Sequence, residues 1–378
     1  MRKKFSLIAL FTLIAVLFSG PSLSQSAIEI GATVPLTGPA ALTGTQYHNS
    51  LRLAEEEINK SGGINGKPLR FIFEDAQSSN PAALNAFIKL VQERKPAFVF
   101  LSSYSTQNLA VAPEVLKAKI PVMYGGGADA ISAQKNAYMF RIRPEDSAAA
   151  QAIARFVKQN LKASAPGIIY IQNDFGQGAA KAAAKKLDGL GVKVAGMEAY
   201  GANDKDMSAQ LLKLKNSGAD TIVVMCLPQD GALILRQAKT LGLKMPIIAS
   251  SAAFTPTAMQ LMSPTDLDNV WGVIDVMLDT NRAAATFVKD YKNKFRIDAD
   301  GYAAAYYDGA MILAQGLRKV GADPQKLRDY LASVKRYEGA AGTFSFDEAG
   351  NGVHEVTVVT FKKGSKDMVF VTKVPAEL

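Results

Sequence analysis

Short apolar runs alternate with helix-length amphipathic stretches from residue 28 to residue 275, and this alternation restricts the fold more than any other feature of the chain. Strands separated by helices at this spacing are βαβ units, which build parallel sheets covered by helices on both faces. The first block runs over about 28–140. It holds a strand at 28–34, a helix at 43–60 with Leu51, Ala54 and Ile58 on one face, and a strand at 69–73 with Asp75 just past its end. Ser61-Gly62-Gly63 stops that helix, since a left-handed cap needs glycine. Asn80-Pro81 starts the next helix with proline in the first turn. Strands at 97–101 and 120–123 follow, and Pro113 predicts a kink or break in the helix between them. The second block, about 145–275, repeats the pattern with strands at 167–171, 192–199, 221–225 and 246–249. Two such blocks imply two α/β lobes. Helices at 282–294, 302–320 and 325–334, then strand-like runs at 342–346, 353–361 and 368–374, complete the chain.

Met1-Arg2-Lys3-Lys4, an apolar run over 5–18 and small residues up to Ala27 have the make-up of a secretory signal peptide, with cleavage expected after Ser24 or Ser26. The run is short for a membrane span. An exported protein follows, and with no cysteine near the cleavage site a lipid anchor is not expected. Cys226, the only cysteine, cannot form an internal disulfide, so stability must come from the two cores. The formal charge of +9 counts Arg2, Lys3 and Lys4, which leaves +6 after the leader. The lysines are dispersed singly or in pairs, which predicts a solvated basic surface rather than nucleic-acid binding.

The stretch from Ala97 to Ala128 is the candidate site. In a parallel sheet its two strands end on one edge, the edge where doubly wound folds bind ligands. Ser102-Ser103-Tyr104-Ser105-Thr106 places hydroxyls and free N–H groups at a helix start, which suits an anion such as a carboxylate. Tyr124-Gly125-Gly126-Gly127-Ala128 lets backbone approach closely. The alternative reading is a capping serine and a simple turn. Catalytic signatures are missing. There are two histidines, His48 and His354, both expected at the surface, and no phosphate loop or nucleophile elbow. Asn173-Asp174-Phe175-Gly176 reads as a loop acid capping the next helix. No metal or cofactor is expected, and the chain reads as a receptor that closes on a ligand rather than an enzyme.

The chain resembles the Leu/Ile/Val-type solute-binding proteins of bacterial ABC importers. The marks are Gly38-Pro39-Ala40 with Gly44, Ile58-Asn59-Lys60-Ser61-Gly62-Gly63-Ile64-Asn65-Gly66, Asp75, Ser102-Ser103-Tyr104-Ser105-Thr106, and Leu235-Arg236-Gln237-Ala238 before Leu241-Gly242. The resemblance covers nearly all of the mature sequence. It implies a periplasmic-binding-protein type I fold, two lobes each with a doubly wound parallel sheet, joined by three hinge crossovers near 143–145, 275–278 and 346–351. The lobes would be 27–144 with 277–347 and 145–276 with 348–378, after a signal peptide at 1–26. It further implies a periplasmic location, an inner-membrane ABC permease as partner, and action as a monomer.

By that resemblance Ser103 grips a ligand carboxylate and Gly126 with Ala128 supply backbone donors, while Phe175 covers the ligand and Tyr302 walls it. Ser105 belongs to the same serine loop. The chain departs from the family's amino-acid binders elsewhere. Ala128 stands where a threonine hydroxyl is usual, Ser250-Ser251 where a glutamate is usual, and Leu227 where an aromatic is usual. Tyr104 and Tyr124 replace smaller residues, and the lobe disulfide is missing. Carboxylate recognition survives the comparison and ammonium recognition does not. The expected ligand is therefore a small carboxylate, apolar or aromatic, without an α-amino group. The alternatives are an amino-acid binder whose acid comes from Asp129 or Asp275, and a ligand sensor reporting to a membrane protein.

Overall fold

The computed structural model describes residues 26–278, 281–353 and 355–374. The expected leader, apart from Ser26, and His354 lie outside them. The first lobe opens with β1 (Ile28–Val34), α1 (Ala41–Lys60), β2 (Leu69–Asp75), α2 (Asn80–Arg94), β3 (Val99–Phe100), α3 (Ser105–Ala118), β4 (Val122–Tyr124), α4 (Asp129–Ser132) and β5 (Met139–Arg141). Its five strands form a wholly parallel sheet in the order β2-β1-β3-β4-β5. Side-chain alternation explains the two covered faces: Phe98 and Phe100 enter one core while Val99 and Leu101 enter the opposite one.

The second lobe holds α5 (Asp146–Gln159), β6 (Pro166–Ile171), α6 (Asp174–Gly189), β7 (Gly196–Tyr200), α7 (Ser208–Asn216), β8 (Thr221–Met225), α8 (Pro228–Thr240), β9 (Ile247–Ala249), α9 (Pro256–Gln260) and β10 (Val270–Ile274). The chain then returns to the first lobe. There α10 (Arg282–Phe295), α11 (Gly301–Val320) and α12 (Pro324–Ala332) pack into the first core. A small sheet of β11 (Tyr337–Gly339), β12 (Gly342–Phe346) and β13 (Gly352–Val353) adds Phe344 and Phe346 to it. Finally β14 (Val356–Phe361) and β15 (Met368–Val374) go back to the second sheet, ordered β15-β14-β10-β9-β8-β6-β7. Here β14 and β15 run antiparallel while the other strands are parallel. The chain thus passes between the lobes three times, after β5, after β10 and after β13.

Four local expectations need correction. Helix α3 runs unbroken through Pro113, since a proline removes only one intrahelical donor and the flanking turns persist. His48 is half-buried rather than surface-exposed, with its ring 4.4 Å from that of Phe73, because α1 lies directly on β2. The cap of α6 is Asn173, whose side chain accepts from the N–H of Gly176 at 2.8 Å, and Asp174 lies inside the first turn. The strand expected at 192–199 forms only as β7, from Gly196. Asp75 shapes the fold locally, because its carboxylate accepts from the N–H groups of Leu36, Thr37 and Gln77 and from the Thr37 hydroxyl and so fixes the loop after β1.

Candidate functional site

Both sheets reverse their strand order at one point, between β1 and β3 in the first lobe and between β6 and β8 in the second. Crevices open beyond the carboxyl ends of strands at such points, and here the two crevices face one another. The cavity between them is lined from the first lobe by Thr43, Tyr47, Ser103, Tyr104, Ser105, Thr106, Gly127 and Tyr302. Asn173, Phe175, Leu227, Pro228, Ala252 and Thr255 line it from the second, and Arg143 of the first crossover lies at its base. It measures about 50 Å3. The lobes touch around it: α6 rests on α3 and α4, and Gln229 Nε2 donates to Pro39 O at 3.0 Å.

The Ser103 hydroxyl is bonded to the Tyr47 hydroxyl, and the Tyr47 ring stacks on Tyr306 at 4.4 Å and 16°. Tyr306 in turn donates to Leu101 O at 2.5 Å, so the serine loop is held from beneath by two core tyrosines. Burial pushes the Tyr104 hydroxyl up to about 12, so it stays protonated and able to donate. Burial likewise raises the hydroxyls of Tyr47 and Tyr302. On the far wall, Tyr302 Oη and Ser251 Oγ are 2.9 Å apart, joining the lobes.

Arg143 is the residue that sequence reasoning placed only in a hinge. Its Nε and Nη2 donate to Asp275 at 2.6 and 3.0 Å, and both side chains are 7% exposed. The pair ties the first crossover to the second. Its Nη1 has weaker neighbours, Gly125 O at 3.5 Å and Asp146 Oδ1 at 3.7 Å. The Tyr302 ring lies 5.0 Å from the guanidinium. Burial raises the Asp146 carboxyl to about 7, against the pull of Arg143, and its Oδ2 has no hydrogen-bond partner. Gly127 must be glycine here: a Cβ would come within 2.0 Å of Asp146 Oδ1 and 2.5 Å of Arg143 Nη1.

Of the residues expected from sequence, Ser103, Tyr104, Ser105, Phe175, Leu227 and Tyr302 meet on the cavity wall. Ser251 reaches it through Tyr302. Tyr124, Gly126 and Ala128 do not line it. Tyr124 is buried in the first lobe beneath Arg141. The N–H of Gly126 donates to Asn108 Oδ1 at 3.0 Å and that of Ala128 to Ser105 Oγ at 3.1 Å. Here the two donors serve α3, because Asn108 and Ser105 face the turn from that helix. Asp129 accepts from the N–H of Ser147, and Asp275 is engaged by Arg143, so neither acid lies on the cavity wall. Thr106 of the serine loop also lines the cavity, and Thr43, Tyr47 and Thr255 are lining hydroxyls that no motif signalled.

Two α/β lobes joined by three crossovers and meeting over a cavity are the architecture of a solute receptor. Residues 27–366 match the family described as periplasmic binding protein, and the chain belongs to that family. Its members are receptors rather than enzymes. The chain is 27% identical over 347 residues to the leucine-, isoleucine-, valine-, threonine- and alanine-binding protein of Pseudomonas aeruginosa, covering 88% of this chain and 89% of that one. It is 28% identical to Leu/Ile/Val-binding protein homolog 7 of Brucella abortus, covering 89% of each. Among solved structures, LivJ of Streptococcus pneumoniae with isoleucine matches with a TM-score of 0.83 at 25% identity, covering 92% of this chain and 99% of that one. A solute-binding protein of R. palustris in complex with benzoate matches with a TM-score of 0.85 at 19% identity, over 93% of this chain and 98% of that one, which is a likeness of fold.

Proposed function

We propose that this protein is the exported receptor for a small carboxylate lacking an α-amino group, which it encloses between two closing lobes and delivers to an inner-membrane ABC permease. The leader at 1–26 is removed on export and the mature protein acts as a monomer. The moving bodies are 27–144 with 277–347 against 145–276 with 348–378. Ser103 and Tyr104 donate to the carboxylate, and Phe175, Leu227 and Tyr302 enclose its apolar part.

One observation carries this reading: the single formally charged side chain on the cavity wall, among the described residues, is Arg143, a cation. An ammonium group enclosed beside it would need a counter-charge, and an unpaired buried ion costs several kcal/mol. The nearby acids are engaged elsewhere. Asp275 holds Arg143, and Asp230 accepts from the Tyr200 hydroxyl at 3.1 Å, with burial favouring its neutral form. The benzoate complex supports the fold's capacity for an amine-free acid. A second reading, an amino-acid receptor, is favoured by the names of the relatives from P. aeruginosa and Brucella. A thermal-shift screen separates the two, because a ligand that binds only the native state raises its stability. Aliphatic and aromatic monocarboxylates are expected to raise the melting temperature and amino acids to leave it unchanged. The reverse pattern would favour the amino-acid receptor.

A further inference from the structure

Beside the cavity lies a larger chamber of about 340 Å3. The two spaces share Thr255 and Tyr302 in their walls, and Ser251, which lines the chamber alone, is hydrogen-bonded to Tyr302. Tyr302, held by its hydrogen bond to Ser251, therefore stands between the two spaces as their partition. The ion pair of Arg143 and Asp275 continues that wall, because Arg143 lines only the cavity and Asp275 only the chamber. The chamber is apolar, walled chiefly by Phe254, Met259, Ile274, Val276, Leu278 and Met368. The charges at its edge already have partners within the protein. Asp300 caps α11 through the N–H of Ala303, Lys366 donates to Met259 O at 2.8 Å, and Asp298 pairs with Lys292 at 2.7 Å.

We propose that cavity and chamber form one elongated site, and that the ligand is a monocarboxylate whose apolar tail passes the Ser251–Tyr302 partition into the chamber. The inference rests on the carboxylate reading above and extends it to the ligand's size. The small cavity holds a carboxylate and a few carbons, while the chamber has the volume of an ordinary small-molecule pocket. Turning the Tyr302 hydroxyl away breaks a single hydroxyl–hydroxyl bond and joins the two spaces. Elements of both lobes and the second crossover line the chamber, so a tail lying there touches each part that must come together on closure.

Calorimetry with propanoate, pentanoate, heptanoate and nonanoate tests this on the intact mature protein and on two variants, Met259→Trp and Met368→Trp, which fill the chamber from different elements. In the wild type, affinity should rise with length, by roughly fourfold for each methylene buried. Either variant should remove the gain for heptanoate and nonanoate and leave propanoate unchanged, and two variants guard against one failing to fold. Short acids that bind while affinity stays flat beyond pentanoate would overturn the elongated site and leave the carboxylate reading standing. Equal weakening of short and long acids by both variants would overturn it too. Failure of every acid to bind would overturn both.

Discussion

Removing Asp275 should destabilise the protein far more than removing both Asp275 and Arg143. The pair is bidentate, at 2.6 and 3.0 Å, with each side chain 7% exposed. Asp275→Leu leaves a guanidinium buried without its main partner, and breaking such a pair costs about 3–5 kcal/mol. The neighbouring Asp146 moderates this. Its carboxyl, raised by burial to about 7 and 3.7 Å from Arg143, should ionise more readily once Asp275 is gone, which places the expected loss near the lower limit, about 3 kcal/mol. The double variant Arg143→Met with Asp275→Leu removes both charges and keeps most of the volume, so it should lie within about 1 kcal/mol of wild type, since well-packed apolar replacements of buried pairs are often neutral. Urea unfolding at pH 7, followed by circular dichroism for the four proteins of the cycle, gives the coupling energy directly. Additive losses, with the double variant as unstable as the two singles combined, would refute the argument. So would a loss below about 1 kcal/mol for Asp275→Leu.

Two further outcomes follow from the same geometry. Ser103→Ala should weaken carboxylate binding about ten- to a hundredfold, as expected for one hydrogen bond to a charged group, and should cost about 1–3 kcal/mol of stability by leaving the buried Tyr47 hydroxyl without this partner. Equal affinity in calorimetry with a clear loss of stability would assign Ser103 to supporting Tyr47 instead. Asp146, with its folded value about 7 lying above an unfolded value of about 3.9, contributes stability that is full below about pH 4 and is lost as the pH rises through 7. Asp146→Asn should flatten that part of the stability profile, and an unaltered slope between pH 4 and 7 would contradict the burial argument.

The lobes were legible because period-two burial and glycine caps are local signals. Residues 98–101 alternate between two cores, and Gly62 and Gly63 take the left-handed conformations that end α1. The serine loop was legible for the same reason, since it sits directly after β3 at the start of α3. What escaped depends on distant partners. Arg143 becomes a wall residue only through Asp275, 132 positions away, and nothing near Arg143 in sequence announces that pairing. The donors of Gly126 and Ala128 are taken by side chains of α3, 18 and 23 positions earlier, in contacts that a turn motif does not encode. His48 lies against Phe73 because α1 packs on β2, a packing choice rather than a propensity.

The most direct test of an amine-free ligand is calorimetry with matched pairs that differ only in the α-amino group: leucine against 4-methylpentanoate, and phenylalanine against 3-phenylpropanoate. With Arg143 the sole charged side chain on the cavity wall among the described residues, the acid should bind more tightly in each pair. Tighter binding of the amino acid in either pair would contradict the account and make this protein an amino-acid receptor.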